Sequence, residues 1–138
     1  MSESAPGFAS HPEYRVDITP TTQRIRALVD GVPIADTRQA LEVVESRHHP
    51  VWYIPLADVD EATIQATDHT TYCPFKGHAS YWSILVAGRI LENAVWGYRT
   101  PYTECAPLKD YVAFYTDRVA LEIDGGHQPA QGPGWTDR

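Results

Sequence analysis

The chain has 138 residues, of which 43% are hydrophobic, 11% aromatic and 21% charged. This balance is typical of one globular domain and excludes a wholly disordered chain. Eighteen acidic and eleven basic residues give a formal net charge of -7, so we expect no nucleic-acid partner and no binding to anionic membranes, which both require a basic face.

Two features indicate the cellular compartment. Residues 1–12 lack the basic and apolar regions of a secretory signal, and no uncharged apolar run approaches the roughly 18–20 residues that span a bilayer. We therefore expect a cytoplasmic protein in which Cys73 and Cys105 are reduced thiols and not a disulfide.

The domain boundaries follow from composition. Residues 1–12 and 124–138 are rich in small residues, Gly and Pro, and contain too few apolar side chains to offset the entropy of ordering. We predict that both ends are flexible, although Trp135 could dock on the domain. Residues 13–123 are predicted to form a single β-rich domain.

The first strands are predicted from alternation of apolar and polar residues with a period of two. This pattern covers residues 14–19, 25–29 and 32–35. The pair Asp30-Gly31 between the last two segments indicates a tight hairpin.

The next segments are less uniform. Residues 37–46 fit either a capped helix or a strand, and the surrounding strands favour a strand. Residues 51–55 (VWYIP) are aromatic and β-branched, which indicates a strand. Residues 56–66 are expected to form a short helix or turn capped by Asp58, with Glu61 three residues further on.

A long hairpin is predicted in the second half. Residues 70–72 form a short strand, and the Pro and Gly of residues 73–77 require a turn. Strands at residues 78–86 and 89–98 follow, joined by a turn at residues 87–88.

The last elements complete a mainly β fold. Residues 101–110 are expected to form a loop with one helical turn, followed by strands at 111–115 and 119–123. Eight or nine short strands with one or two short helices favour an antiparallel sheet, closed or folded on itself, over alternating β-α-β units.

The turn at residues 73–77 is the strongest candidate for chemistry. It carries the Cys73 thiol and the Lys76 amine between residues that fix a turn. A nearby cation lowers the pKa of a thiol, and a lysine in an apolar pocket can lose its proton and become a nucleophile. Lys76 and Cys73 are therefore the candidate catalytic residues. The alternative is a buried, inert Cys73 and a solvated Lys76.

Aromatic side chains in the predicted strands could line a ligand pocket. On the long hairpin, Trp96 and Tyr98 lie opposite Tyr81, so we expect these three rings in a cavity. The candidate ligand-binding residues are Tyr53, Tyr72, Tyr81, Trp82, Trp96 and Tyr98. The alternative is that most of these rings only fill the core.

No metal or cofactor site is predicted. The sequence contains neither CxxC nor HxxxH, which are spacings typical of zinc ligands. The phosphate-binding motifs GxxxxGK[ST] and GxGxxG are absent as well. The acidic residues from Asp58 to Glu61 are expected to be a solvated helix start.

Five segments occur in an order that carries a family resemblance. They are Trp52 to Pro55, Asp58-Val59, Thr71 to Tyr81 with its Cys-Pro-x-Lys-Gly block, Trp96 to Tyr98, and Tyr111 to Tyr115. Together they resemble the family of domain of unknown function 427 over residues 14–118. Ile54 and Gly97 stand where the family pattern has other residues.

The resemblance implies a small, mostly β protein shaped as a curled or tent-like barrel. It also implies a role beyond core filling for Cys73, Lys76, Tyr81, Trp96 and Tyr98. A nucleotidyltransferase label is sometimes attached to the family. This sequence contains neither a phosphate loop nor the strand-borne Asp pair of a two-metal transferase, so we do not carry that activity over.

Three functions remain open. The first is binding of a small molecule of unknown class, with Lys76 offering a cation to an acidic or carbonyl group. The second is an enzyme that uses Lys76 or Cys73 as nucleophile or acid/base. The third is a non-catalytic interaction module. The edge strand of an open sheet could also pair two copies in a homodimer.

Overall fold

The computed structural model describes residues 3–127, in which strands predominate. Helical structure is limited to the short α-helix α1 (Gly7–Ser10) and to 3-10 helices at Leu56–Asp58, Glu61–Thr63 and Thr103–Leu108. Within the described residues, no helix is long and apolar enough to cross a membrane. The strands are β1 (Val16–Pro20), β2 (Ile25–Val29), β3 (Val32–Thr37), β4 (Leu41–Glu45), β5 (Val51–Pro55), β6 (Ile64–Cys73), β7 (Gly77–Val86), β8 (Arg89–Gly97), β9 (Tyr111–Phe114), β10 (Ala120–Ile123) and β11 (Gly126–His127).

The strands form two sheets in which neighbouring strands are antiparallel. The larger sheet has the order β1-β4-β5-β9-β8-β7-β6, and the smaller has the order β11-β10-β2-β3. The mainly β, antiparallel prediction is therefore confirmed. Between residues 3 and 127 the strands form no closed barrel, since β1 and β6 are edges of the larger sheet. The curled or barrel-like shape stays a prediction.

The main hydrophobic core joins the two sheets. Ile25 and Ile34 of the smaller sheet belong to one buried cluster with Trp82, Ile84 and Val95 of the larger sheet. Burying this apolar surface is the main force that holds the sheets together. Because side chains alternate along a strand, Tyr81 and Trp96, next to Trp82 and Val95, point to the opposite face of the larger sheet.

That opposite face carries a second cluster, which is rich in aromatic residues. Tyr81 of β7 and Trp96 of β8 are paired across the two strands and belong to this cluster. The 3-10 helix Thr103–Leu108 adds the fully buried side chains of Cys105 and Leu108. The two faces of the larger sheet therefore have different roles: one forms the core between the sheets, and the other forms a separate aromatic layer.

The predicted hairpins are confirmed. Asp30 and Gly31, between β2 and β3, have φ values of 51° and 78°, which is the left-handed backbone that a tight two-residue hairpin requires. The turn at residues 87–88 joins β7 to β8 in the same way. Residues 37–46, which the sequence left between helix and strand, contain strand β4.

Residues 56–66 differ from the prediction. They form two 3-10 turns, and β6 begins at Ile64, where the sequence still predicted a helix or turn. The residue that caps the second turn is Asp60, which accepts a hydrogen bond from the Ala62 N–H. Asp58 instead accepts a hydrogen bond from the Thr37 hydroxyl at 2.7 Å, so its predicted capping role is wrong.

The predicted domain end at residue 123 falls inside the smaller sheet, which β11 extends to residue 127. The rest of the C-terminal segment that was predicted to be flexible, residues 128–138 with Trp135, lies outside the described residues.

We expect Gly97→Ala to lower the free energy of unfolding by about 2 kcal/mol or more, because overpacking a core forces the backbone to shift. A Cβ at this position would lie 2.5 Å from the Tyr111 carbonyl oxygen. The control is Gly126→Ala, whose Cβ would meet nothing closer than the Ile123 oxygen at 3.6 Å. Urea unfolding of both variants tests this, and equal stabilities would contradict the close approach of β8 and β9.

Candidate functional site

A cavity of about 660 Å³ opens on the aromatic face of the larger sheet. It is lined mainly by aromatic rings, with charged and polar groups among them. The rings are those of Tyr14, Tyr53, Tyr72, Phe75, Tyr81, Trp96, Tyr98 and Tyr115. The other lining residues are Glu45, Ser46, Arg47, His48, Val51, Thr71, Cys73, Pro74 and Lys76.

The structure brings together seven of the eight residues that the sequence singled out. The seven that line the cavity are Tyr53, Tyr72, Cys73, Lys76, Tyr81, Trp96 and Tyr98. Trp82 is the exception, because it belongs to the core between the two sheets. The Arg99 guanidinium lies 5.0 Å from the centroid of the Trp82 ring. Trp82 is therefore not brought to the cavity.

The turn that carries Lys76 is held from three directions. All three carbonyl groups of the turn Pro74–Lys76 accept a hydrogen bond from another part of the chain. The Gly7 N–H donates to the Pro74 carbonyl at 3.0 Å, the Cys105 thiol to that of Phe75 at 3.5 Å and the Tyr102 N–H to that of Lys76 at 3.0 Å. Gly77 completes the turn with a φ of 117°, a backbone conformation that favours glycine. Cys105 therefore supports the turn from behind and does not line the cavity.

Lys76 is buried and paired with a carboxylate. Its ammonium donates a hydrogen bond to Oε1 of Glu45, and the Tyr14 hydroxyl donates to Oε2 of the same group. The side chains of Lys76 and Glu45 are only 7% and 10% exposed. Three separate segments, those before β1, at the end of β4 and between β6 and β7, therefore meet at one carboxylate.

The environment of Lys76 keeps it protonated. Burial by itself lowers the pKa of Lys76. The negative charges that Tyr53, Glu45 and Cys73 carry in their ionised forms have together a larger, opposite effect, so the net pKa lies above the usual value for lysine. Burial also raises the pKa of Tyr53 to about 12, so that phenol is neutral at pH 7 and Glu45 is the counter-ion. A protonated amine is not a nucleophile. The geometry therefore favours Lys76 as a fixed cation over Lys76 as a nucleophile.

Besides Tyr14, the cavity tyrosines Tyr53 and Tyr81 form hydrogen bonds to other lining residues. The Trp96 Nε1–H donates to the Tyr53 hydroxyl at 3.2 Å. The Tyr81 hydroxyl lies 3.0 Å from the Thr71 hydroxyl and 3.5 Å from that of Tyr115. These bonds fix the orientation of the rings and leave their apolar faces to form the walls.

Tyr98 differs from these two. Its side chain is buried, and burial raises the pKa of its hydroxyl well above the usual value. No hydrogen bond from residues 3–127 engages that hydroxyl. Because Tyr98 lines the cavity, this hydroxyl is a candidate contact for a bound molecule.

Among the residues that the structure describes, no group of three or more His, Cys, Asp or Glu side chains is placed to hold a metal ion.

A family model described as a domain of unknown function (DUF427), with the label NTP_transf_9, matches residues 17–125. The chain belongs to this family. The resemblance predicted from the sequence is therefore confirmed, and the match extends from β1 to β10, leaving out only β11. No curated protein matches the chain.

The Cys-Pro-x-Lys-Gly block of this DUF427 protein now has a structural explanation. Pro74 and Gly77 shape the turn, and Lys76 is its buried cation. Cys73 ends β6 beside the cavity with a half-buried thiol.

Sequence reasoning missed Glu45 and Tyr14, although a signal for each is present. Leu41, Val43 and Glu45 occupy alternate positions in β4 and therefore share one face, so the carboxylate continues a buried apolar row. Tyr14 continues the row formed by Val16 and Ile18 in the same way. A charged residue at an inward-facing strand position indicates a buried ion pair or a site.

The N-terminal segment, predicted to be flexible, contacts the cavity turn. The Tyr14 and Phe75 rings are stacked with centroids 4.0 Å apart, and Phe8 meets Phe75 edge-on at 5.0 Å. Further along, the Ala5 N–H donates to a Glu104 side-chain oxygen at 2.8 Å. Residues 1–12 thus pack against the cavity turn without lining the cavity, and Tyr14, just after them, supplies one residue of the site.

We expect single substitutions of the buried pair to be strongly destabilising. Lys76→Met or Glu45→Gln alone should lower the free energy of unfolding by about 3 kcal/mol, because each leaves a buried partner unmatched. The double variant should lower it by less than the sum of the two single losses. Urea unfolding at pH 7 gives the coupling energy.

The exposed pair Arg89–Asp30 is the matched control, since its side chains are 53% and 47% exposed. The same double-mutant cycle there should give a coupling energy below about 1 kcal/mol. Strictly additive losses at Lys76 and Glu45 would contradict a coupled buried pair.

The two thiols should differ in reactivity. Burial raises the pKa of Cys105 to about 11, so its reactive thiolate is scarce below pH 9, and its side chain is fully buried. Iodoacetamide at pH 8 should therefore modify Cys73 only, and Cys105 should react after unfolding in urea. Peptide mass spectrometry locates the modified residue, and early labelling of Cys105 would be the contrary result.

Proposed function

We propose that this DUF427 protein binds a small organic molecule in the aromatic cavity, with the molecule held against Lys76. The observation that carries the proposal is the incomplete set of hydrogen bonds around the buried ammonium. An ammonium has three N–H donors, and Glu45 accepts one of them. Within the described part of the chain, no other hydrogen bond engages it. A ligand atom is the natural acceptor for a remaining donor.

The size and lining of the cavity support the proposal. Ligand pockets typically measure about 300–1,000 Å³ and combine apolar walls with a few converging polar groups. The volume of about 660 Å³ lies inside this range. Rings such as Tyr81 and Trp96 supply the walls, and Lys76 and Tyr98 supply polar groups.

The protein is placed in the cytoplasm as part of the same proposal. Both cysteines are free thiols, which suits a reducing compartment.

A pair of matched substitutions tests the binding site. Val51 lines the cavity, whereas Val44 is exposed on the neighbouring strand and does not. A metabolite library is screened by ligand-observed NMR against the wild type, Val51→Phe and Val44→Phe. We expect compounds that bind the wild type and Val44→Phe and lose at least about tenfold in affinity with Val51→Phe, because the larger ring occupies cavity space that the ligand needs.

A second way of filling the cavity guards against misfolding of Val51→Phe. Alkylation of Cys73 adds bulk at the cavity wall without a mutation, and it should weaken the same compounds. Binding that survives both modifications, or a screen without binders, would overturn the proposal.

A catalytic role for Cys73 is the second candidate. The observation that favours it is that the half-buried free thiol lines the same cavity as Lys76. The thiolate is the nucleophilic form of a cysteine. A catalytic Cys73 should react with iodoacetamide at pH 7 much faster than free cysteine does. An equal or slower rate would count against catalysis by this thiol.

A further inference from the structure

We infer that the ligand is an uncharged, flat molecule that presents a carbonyl or hydroxyl oxygen to Lys76, such as an aromatic ketone or phenol. The inference rests on the proposed function and names the chemical class that this cavity takes. It narrows the sequence-based expectation, which left both acidic and carbonyl groups open as partners of Lys76.

Charge balance is the first argument. The Lys76 ammonium and the Glu45 carboxylate are both buried and already neutralise one another. A ligand carboxylate placed beside them would bring a second buried anion against one cation, and desolvating an ion without its own counter-charge is costly. A neutral oxygen can accept a hydrogen bond from Lys76 without disturbing the pair.

The other charged groups of the cavity do not alter this balance. Arg47 lines the cavity but is solvent-exposed, where an ion pair is worth little. His48 also lines the cavity and is only half-buried. The Arg118 guanidinium lies 5.4 Å from the Tyr115 ring centroid and is itself not a lining residue.

The direction of the hydrogen bonds is the second argument. Tyr53 accepts a hydrogen bond from Trp96, which leaves its own O–H free to donate. The Tyr98 hydroxyl forms no hydrogen bond with another residue in the described range 3–127, so it can donate as well. Both phenols are neutral at pH 7, since burial raises their pKa values. With Lys76 the cavity thus offers donors in excess, so the complementary ligand atom is an acceptor oxygen.

The shape of the walls is the third argument. Trp96 and Tyr115 have ring centroids 4.6 Å apart, and Tyr53 stands nearly perpendicular to Trp96 with an interplanar angle of 83°. Planar aromatic surfaces in contact with one another form walls that suit another flat ring.

Four probes with the same two-ring skeleton test the class. They are 2-acetylnaphthalene, 2-naphthol, 2-naphthoate and 2-(aminomethyl)naphthalene, measured at pH 7 by ligand-observed NMR. We expect the neutral ketone and naphthol to bind at least about tenfold more tightly than the anion and the cation, because burying an extra charge is costly. Val51→Phe should weaken whichever probes bind.

Tyr98→Phe tests the hydrogen-bond donor. It should weaken the ketone about fivefold, the value of one ordinary hydrogen bond, while the unfolding midpoint stays close to that of the wild type. Tyr111→Phe is the matched control, because Tyr111 is half-buried beside the second cluster and does not line the cavity. It should leave ketone binding unchanged.

The outcomes separate the two proposals. Tightest binding by 2-naphthoate or by the amine, lost in Val51→Phe, would overturn the inferred class and leave the binding site standing. Ketone affinity that is equal in wild type and Tyr98→Phe would overturn the assigned donor. Absence of binding by all four probes would overturn the class, while the metabolite screen still decides the proposed function. Binding that Val51→Phe does not affect would overturn the proposed function together with the class.

Discussion

A buried ammonium requires a buried anion, and this requirement organises one whole side of the molecule. Glu45 at the end of β4 supplies the anion for Lys76, which stands in the turn between β6 and β7. In the larger sheet β4 lies next to the edge strand β1, and β6 and β7 form the other end, with β5, β9 and β8 between. The ion pair therefore connects the two ends of the sheet across its aromatic face, and the cavity is the space between them.

The larger sheet serves two purposes because its side chains alternate. Trp82 and Ile84 face the smaller sheet and contribute to the main core. Tyr81, which precedes Trp82 in β7, faces the cavity. One strand thus anchors the fold with one set of residues and positions the site with the other, so the walls of the site rest on a rigid support.

Much of this arrangement could be predicted from the sequence, because alternation with a period of two is a local signal. It placed Tyr81 with Trp96 and Tyr98, and it also placed Trp82 on the other face, although Trp82 was still included among the ligand-binding candidates. The start of β6 could not be predicted, because this edge strand is exposed on both faces and shows no alternation. Glu45 could not be paired with Lys76 because no local pattern reveals which distant strands become neighbours.

The sequence separations within the site bear on how the chain folds. Tyr14 and Glu45 are 31 residues apart, and so are Glu45 and Lys76. Closing such loops costs chain entropy before any contact compensates for it, and folding is slow where contacts are distant in sequence. The hairpins can form early from local contacts, whereas the ion pair forms only when β1, β4 and the β6–β7 turn have come together. The cavity therefore forms late in folding. In a partly folded chain, the aromatic rings that line it are exposed to solvent.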